Sequence, residues 1–230
     1  IAGIIVLTLL RPRPPLDEER PLTRAFDFRP VLRNRTAMAY MLGYAGHSWE
    51  LFAVRGWIVA FLVFASEKSG GAANAEAALI AAVANLAAVA ASLAGNELCE
   101  LFGRRRVTRI AMISSFVAAV LMGLSPGFPF WLVIVLFFVY SGLIMGDSGS
   151  LTAGATQAAE PGYRGLTLAV HSLFGFTAGF LGPLSVGVTL DAAGGQASST
   201  AWLMGFITIG AGSLAGAMAM TWVGRRLQTT

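Results

Sequence analysis

Six long apolar runs constrain this sequence more than any other feature. They cover residues 36–64, 76–95, 107–124, 130–153, 165–190 and 201–224. A helix rises about 1.5 Å per residue, so a run of about 20 apolar residues crosses the roughly 30 Å hydrocarbon core of a bilayer. Of all residues, 56% are hydrophobic and only 12% are charged, which is outside the range of soluble domains. The sequence predicts an all-α polytopic membrane protein with six transmembrane helices, here called spans 1 to 6.

A seventh apolar run, residues 1–10, is too short to cross a bilayer, because it would reach only about 15 Å as a helix. We interpret it as the end of a truncated transmembrane helix, so that the chain is the C-terminal part of a larger membrane protein. Residues 11–35, with RPRPP followed by LDEER, are predicted to form a solvated linker with a short surface helix near residues 26–33.

The basic residues orient the spans, because arginine and lysine accumulate on the cytoplasmic side. Fourteen of the 16 lie before span 1, between spans 2 and 3 or in the first turn of span 3, between spans 4 and 5, or after span 6. The alternate connections hold only Lys68. This asymmetry predicts a cytoplasmic C-terminus. The basic segments lack the interleaved aromatic residues that stack on bases, so we expect no nucleic-acid partner.

Signatures of enzymes are missing from the sequence. Two histidines, His47 and His171, and a single cysteine do not have the spacing of a zinc site, and there is no GxSxG elbow or phosphate-binding glycine loop. The run GAGSLAG, residues 210–216, is predicted to pack two helices closely, because its small residues are four apart. We therefore expect no enzymatic activity, no metal and no cofactor.

Five histidines and charged side chains lie within the apolar runs away from the first turn: His47, Glu50, Arg55, Asp147 and His171. The helical rise places Glu50 and Asp147 about 20 Å from the cytoplasmic ends of their spans, close to the bilayer midplane. Ionisable groups at this depth usually face a bundle interior or an aqueous cavity. The five residues are therefore predicted to mark a substrate or proton pathway.

Each of these residues also has a structural interpretation. Arg55 lies near the outer end of its span, where an arginine can anchor the helix at the interface. Glu50 and Asp147 can accept hydrogen bonds from neighbouring helices, and His171 can donate one. His47 lies three positions before Glu50 on the same helix face, so it is expected to be the hydrogen-bonding neighbour of Glu50.

The segment NELCELFGRRR, residues 96–106, connects spans 2 and 3 and resembles the loop motif of the major facilitator superfamily. In that motif a small residue is followed by an acid, a glycine and a basic cluster. The matching positions are Gly95 and Asn96, then Glu100, then Gly103, then Arg104, Arg105 and Arg106. Physically, Gly103 permits a tight turn, Glu100 can meet an arginine or a helix N-terminus, and the arginines can meet anionic headgroups.

The resemblance implies a fold and a function. Residues 36–230 would be the C-terminal six-helix half of a transporter, built from two three-helix inverted repeats, with residues 11–35 as the central cytoplasmic loop. The activity implied is secondary active transport of a small solute by alternating access, as symport or antiport, driven by a proton or solute gradient. The partners implied are the missing N-terminal six-helix half, the solute and the lipid bilayer of a bacterial inner membrane. The alternative is a non-transporting assembly factor or sensor with the same bundle.

The fifth span carries the glycine-rich run GFTAGFLGPLSVG, residues 175–187. Gly179 and Gly182 would let this helix approach a neighbour closely. Pro183 removes a backbone hydrogen bond, so we predict that the helix bends at these three residues.

Overall fold

The structure is a computed structural model and describes residues 27–71 and 74–227. Within these residues it contains helices and turns but no strand. Six of the helices are long and apolar enough to cross a membrane, which confirms the all-α polytopic membrane fold. The predicted truncated helix at residues 1–10 and most of the predicted linker, residues 11–26, lie outside the described residues.

The six spans follow the predicted order, and each is longer than its apolar run. Their bounds are Arg35–Lys68, Asn74–Phe102, Arg104–Leu124, Phe130–Met145 with Ser148–Gln157, Arg164–Ala192 and Ser199–Leu227. A short helix, Arg29–Arg33, precedes span 1, within the region where a surface helix was predicted. The spans exceed the apolar runs because polar and charged residues continue the helices beyond the hydrocarbon core.

The arginine-rich side of the bundle is the end at which Arg35, Arg104 and Arg164 begin spans 1, 3 and 5. The Asn34 side chain makes one hydrogen bond within span 1 and one to the end of span 4 there. The Asn34 side chain caps span 1 by accepting from the Ala37 N–H at 3.0 Å, and its amide donates to the Ala158 carbonyl at 2.6 Å, just after span 4. These contacts bring the ends of spans 1 and 4 together.

Span 4, predicted over residues 130–153, is one candidate membrane span, Phe130–Gln157, with a two-residue break in its helix. Helix Phe130–Met145 ends and Ser148–Gln157 begins with Gly146 and Asp147 in a turn between them. The Asp147 carbonyl accepts from the Ser150 hydroxyl at 2.8 Å, and the Asp147 carboxylate does not cap the following helix. The carboxylate is therefore free to contact other spans.

A close backbone contact lies beside this break. A Cβ atom placed on Gly95 of span 2 would overlap the carbonyl oxygen of Gly146. Glycine at position 95 thus allows span 2 to touch the main chain where span 4 is interrupted, as small residues do between membrane helices.

The helix packing is internally symmetric. Span 1 packs on spans 5 and 6, span 4 packs on spans 2 and 3, and spans 3 and 6 pack on each other. Exchanging spans 1, 2 and 3 with spans 4, 5 and 6 leaves this pattern unchanged. Because each set crosses the membrane three times, the second set starts on the side opposite to the first, as inverted repeats require. The packing agrees with two three-helix repeats.

Glycines bring spans 1 and 6 into backbone contact. A Cβ atom on Gly46 would overlap the Gly212 carbonyl oxygen and lie 3.2 Å from the Gly216 Cα atom. Any larger side chain at position 46 would force the two helices apart. The close packing predicted for residues 210–216 is therefore confirmed.

Span 5 also packs closely on span 1 through glycine. A Cβ atom on Gly182 would lie 2.6 Å from the Trp49 carbonyl oxygen, and one on Gly179 would lie 2.7 Å from the Phe52 ring. The helix Arg164–Ala192 is continuous through Pro183. The close approach predicted for this run is confirmed, whereas the bend at Pro183 stays a prediction.

An aromatic core fills the bundle on the side away from the arginines. The Phe61 ring lies 4.6 Å from that of Phe206 and 5.3 Å from that of Trp202, both edge to face. Tyr140 of span 4 packs at the edge of this group, 6.4 Å from Phe206. This packing fixes the Tyr140 ring and directs its hydroxyl towards the middle of span 1.

Candidate functional site

Glu50 is buried in the middle of span 1, with 1% of its surface exposed. Its Oε1 atom accepts from the Tyr140 hydroxyl at 2.8 Å, and its Oε2 atom accepts from the hydroxyls of Ser115, at 3.0 Å, and Ser213. These donors belong to spans 4, 3 and 6. The four residues are here called the Glu50 network. Because three hydroxyl groups replace the water that burial removes, the arrangement favours the structural interpretation of Glu50.

His47 forms no hydrogen bond with Glu50, so the expected pairing is wrong. Its Nδ1 atom lies 2.7 Å from the Oδ1 atom of Asp147, and the two side chains are only 2% and 3% exposed. The reason is that the break in span 4 brings Asp147 to the His47 ring, while hydroxyls from other spans surround Glu50. At this distance the two atoms are each other's partner, so a buried ion pair or hydrogen bond joins spans 1 and 4.

Tyr44 connects this pair to the second histidine. Its ring lies 3.9 Å from that of His171 and 6.0 Å from that of His47, and both interplanar angles are 18°. A Cβ atom on Gly175 would lie 2.8 Å from a carbon of the Tyr44 ring, so glycine at that position makes room for the stack. One aromatic ring thus holds both histidines in place.

His171 makes an interhelical hydrogen bond, as predicted. Its Nε2 atom lies 3.2 Å from the Thr152 hydroxyl of span 4, with the donor set by the histidine tautomer. Its Nδ1 atom is buried and has no hydrogen-bond partner among residues 27–71 and 74–227. Tyr44, His47, Asp147, Thr152 and His171 together form what is here called the histidine–aspartate cluster. Buried polar atoms without partners are rare in folded proteins and need an explanation.

Arg55 is not part of either group. It is exposed on span 1, and its side chain forms no ion pair or hydrogen bond with the described residues. No group of three or more His, Cys, Asp or Glu residues in the described ranges is arranged to hold a metal ion. The structure thus brings His47, Asp147 and His171 together, keeps Glu50 in a separate network and leaves Arg55 apart.

The sequence did not indicate the hydroxyl-bearing partners. Tyr44, Thr152, Ser115, Tyr140 and Ser213 are the residues that bind or position the ionisable groups. Tyr44 could have been found, because it lies one helical turn before His47 on the same face. The others lie on different spans and have no local pattern that links them to His47 or Glu50.

A single residue, rather than a loop, connects spans 2 and 3. Gly103 is the one residue between the two helices and has φ +88°, a conformation that L side chains rarely adopt, so the predicted tight turn is confirmed. Glu100 pairs with Arg104 at 2.6 Å, as the motif suggested. However, Gly95, Asn96 and Glu100 lie inside helix Asn74–Phe102 rather than in a loop, because span 2 continues helically to Phe102.

The three consecutive arginines have different surroundings. Arg104 also donates to the Gln157 side chain at 3.0 Å, which joins span 3 to the end of span 4. Arg105 has two buried guanidinium nitrogens without a hydrogen-bond partner in the described part of the chain. Arg106 is exposed and has no ion-pair partner there. Within the predicted basic cluster, Arg104 is therefore paired, Arg105 faces inward, and the Arg106 side chain is free.

Three comparisons with known proteins were negative. A scan against protein-family models, a search of curated proteins and a search of solved structures each gave no match. The buried polar groups, namely the Glu50 network and the histidine–aspartate cluster, therefore carry the proposal of a function.

Proposed function

We propose that this chain is part of a secondary transporter that moves a small solute across a membrane by alternating access. The observation that supports this most is the buried pair of His47 and Asp147 at the break in span 4. Interrupted helices with polar groups near the midplane form the solute and ion sites of many secondary transporters. A buried ionisable pair at such a depth in a membrane bundle often marks a substrate or ion pathway.

In this proposal the two buried carboxylates have different tasks. Asp147, with His47, binds the coupling proton or a polar group of the solute. His171, which stacks on Tyr44, adds a second imidazole to the same cluster. Glu50 holds the repeats together, because its network joins spans 1 and 3 to spans 4 and 6. A rigid six-helix bundle of this kind can rock as one body against a partner.

The partner in this proposal is a second six-helix bundle that shares the solute cavity. The exposed Arg55 of span 1 would then face that cavity rather than lipid, which would spare the cost of exposing its charge to hydrocarbon. The motif resemblance of residues 95–106 to the major facilitator superfamily supports the same arrangement. The membrane would be a bacterial inner membrane, with the arginine-rich side and the C-terminus in the cytoplasm.

Transport by reconstituted protein tests the proposal. The full-length protein in proteoliposomes is assayed for uptake and counterflow with a panel of amino acids, sugars, organic anions and organic cations, under an imposed pH gradient and without one. Saturable counterflow of one solute class that is weakened by His47→Gln supports transport at the cluster. Counterflow that is the same in wild type and His47→Gln would place the solute site elsewhere.

A second candidate function is a non-transporting assembly factor or sensor. The observation that favours it is the number of fixed contacts between the repeats, namely the Glu50 network and the backbone contact of Gly46 with Gly212. A protein of this kind would show no counterflow with any solute class. Its partner protein would instead be recovered by cross-linking in the native membrane.

A further inference from the structure

A groove of about 520 Å³ opens on the outer surface of the bundle between spans 2, 3 and 4. Its walls include Leu98 and Phe102 of span 2, Ile110 and Ala111 of span 3 and Leu143 of span 4. Arg106 lies at its arginine-rich end. The groove therefore combines a long apolar wall with a cation at one end.

The cation at this end is available for a ligand. Arg104 is engaged by Glu100 and Gln157, whereas the Arg106 guanidinium group has no ion-pair or hydrogen-bond partner in the residues the structure describes. From Arg106 to Ser114, the most distant span 3 residue on the wall, the groove extends eight residues, or about 12 Å along the helix. A matching ligand has an anionic head and a hydrocarbon chain that lies parallel to span 3.

We propose that this groove is a binding site for one anionic phospholipid, with its phosphate against Arg106 and an acyl chain along Ile110, Ala111 and Leu143. A soluble anion would leave the apolar wall unused. A transmembrane helix is a poor fit, because helices pack on small residues, whereas bulky exposed Leu98, Phe102 and Ile110 form this rim. Flexible hydrocarbon fills an irregular apolar groove, and an arginine near the membrane surface attracts anionic headgroups.

Native mass spectrometry of the delipidated full-length protein tests the proposal. Phosphatidylglycerol and phosphatidylcholine with identical chains are added in equal amounts, and the ratio of bound anionic to bound zwitterionic lipid is measured. We expect wild type to retain one phosphatidylglycerol in preference. Arg106→Gln should reduce that ratio about fivefold, the effect of one cation near an anionic headgroup. The control Arg164→Gln removes the same charge from another exposed site on the arginine-rich side and should leave the ratio unchanged.

Two further measurements separate the contribution of the lipid headgroup from that of the acyl chain. Ala111→Phe, which fills the groove, should reduce binding of both lipids alike, and glycerol phosphate, which has no chain, should not displace phosphatidylglycerol. The proposal is overturned if Arg106→Gln and Arg164→Gln give the same ratio, if wild type has no preference for the anionic lipid, or if glycerol phosphate competes. A polypeptide bound in place of lipid, and lost in Ala111→Phe, would also overturn it. Arg106→Gln alters an exposed side chain, and its elution in gel filtration confirms that it is folded.

Discussion

His47 and Asp147 lie on spans 1 and 4, which correspond under the exchange of repeats, and their Nδ1 and Oδ1 atoms approach to 2.7 Å. The pair is therefore located where the first helix of one repeat meets the first helix of the other. A ligand or proton bound at this junction contacts both repeats at once, so it acts on the bundle as one body. The position makes the pair a suitable place to couple binding to movement.

Replacing Asp147 by asparagine tests that coupling. Asparagine has nearly the size of aspartate but cannot carry the charge that His47 faces, so gradient-driven accumulation of solute should fall by at least tenfold in proteoliposomes. Exchange of solute without a gradient should survive if Asp147 binds the coupling proton, and should be lost if it binds the solute. Asp191→Asn, at an exposed position, serves as the control and should transport like wild type. Unchanged accumulation in Asp147→Asn would assign Asp147 a structural role.

Replacing Glu50 by alanine should destabilise the bundle more than any exposed acid does. Three buried hydroxyls lose their acceptor, and a buried donor left unsatisfied costs about 1–3 kcal/mol, so a loss of about 3 kcal/mol or more is expected. The free energy of unfolding is measured by denaturant titration in mixed micelles. Glu67→Ala, exposed near the end of the same span, should change it by less than about 0.5 kcal/mol. Equal effects of the two substitutions would contradict the network.

Alanine at position 95 should weaken the junction of spans 2 and 4. Its Cβ atom would overlap the Gly146 carbonyl oxygen, so the helices must separate, at a cost of about 1–3 kcal/mol in the free energy of unfolding. Gly149→Ala is the matched control. It lies just beyond the break, a Cβ atom there meets nothing within 4 Å, and alanine should stabilise the helix by up to about 1 kcal/mol. The same sign for both substitutions would show that span 2 does not pack there as described.

Cysteine labelling tests the sidedness of the bundle. The native Cys99 is only 3% exposed and is a poor target, so it is replaced by serine, and single cysteines are introduced at the exposed positions Glu97 and Ser69. An impermeant maleimide applied to intact cells should label Ser69→Cys but not Glu97→Cys, and inverted vesicles should give the reverse. Labelling of both positions from one side would refute the assignment of span 2.

The spans were predictable because the bilayer sets their length, and six runs long enough to cross it gave six helices. The turn at Gly103 was also predictable, since a glycine before RRR interrupts the helical pattern. The break at Gly146 was not, because glycine and a single acid are both compatible with a continuous membrane helix. The backbone contact beside the break is made by Gly95, which lies on another span.

The ionisable residues of the site were predictable from the sequence, but the pairs that they form were not. Depth along the spans selected His47, Glu50 and Asp147, because charges in hydrocarbon are rare. Spacing on one helix then suggested that His47 pairs with Glu50. The actual partner, Asp147, is distant in sequence and is brought near by the packing of span 4 on span 1. Local spacing cannot encode such a contact.

The single-residue connection at Gly103 has a consequence for biogenesis. The polar residues between the two apolar runs, residues 96–106, belong to the two helices on either side of Gly103 rather than to a loop. We therefore expect the two spans to enter the bilayer together as one helical hairpin. A flexible insert at Gly103 would divide a single insertion event into two, and the charge of the arginines would then have to direct span 3 by itself.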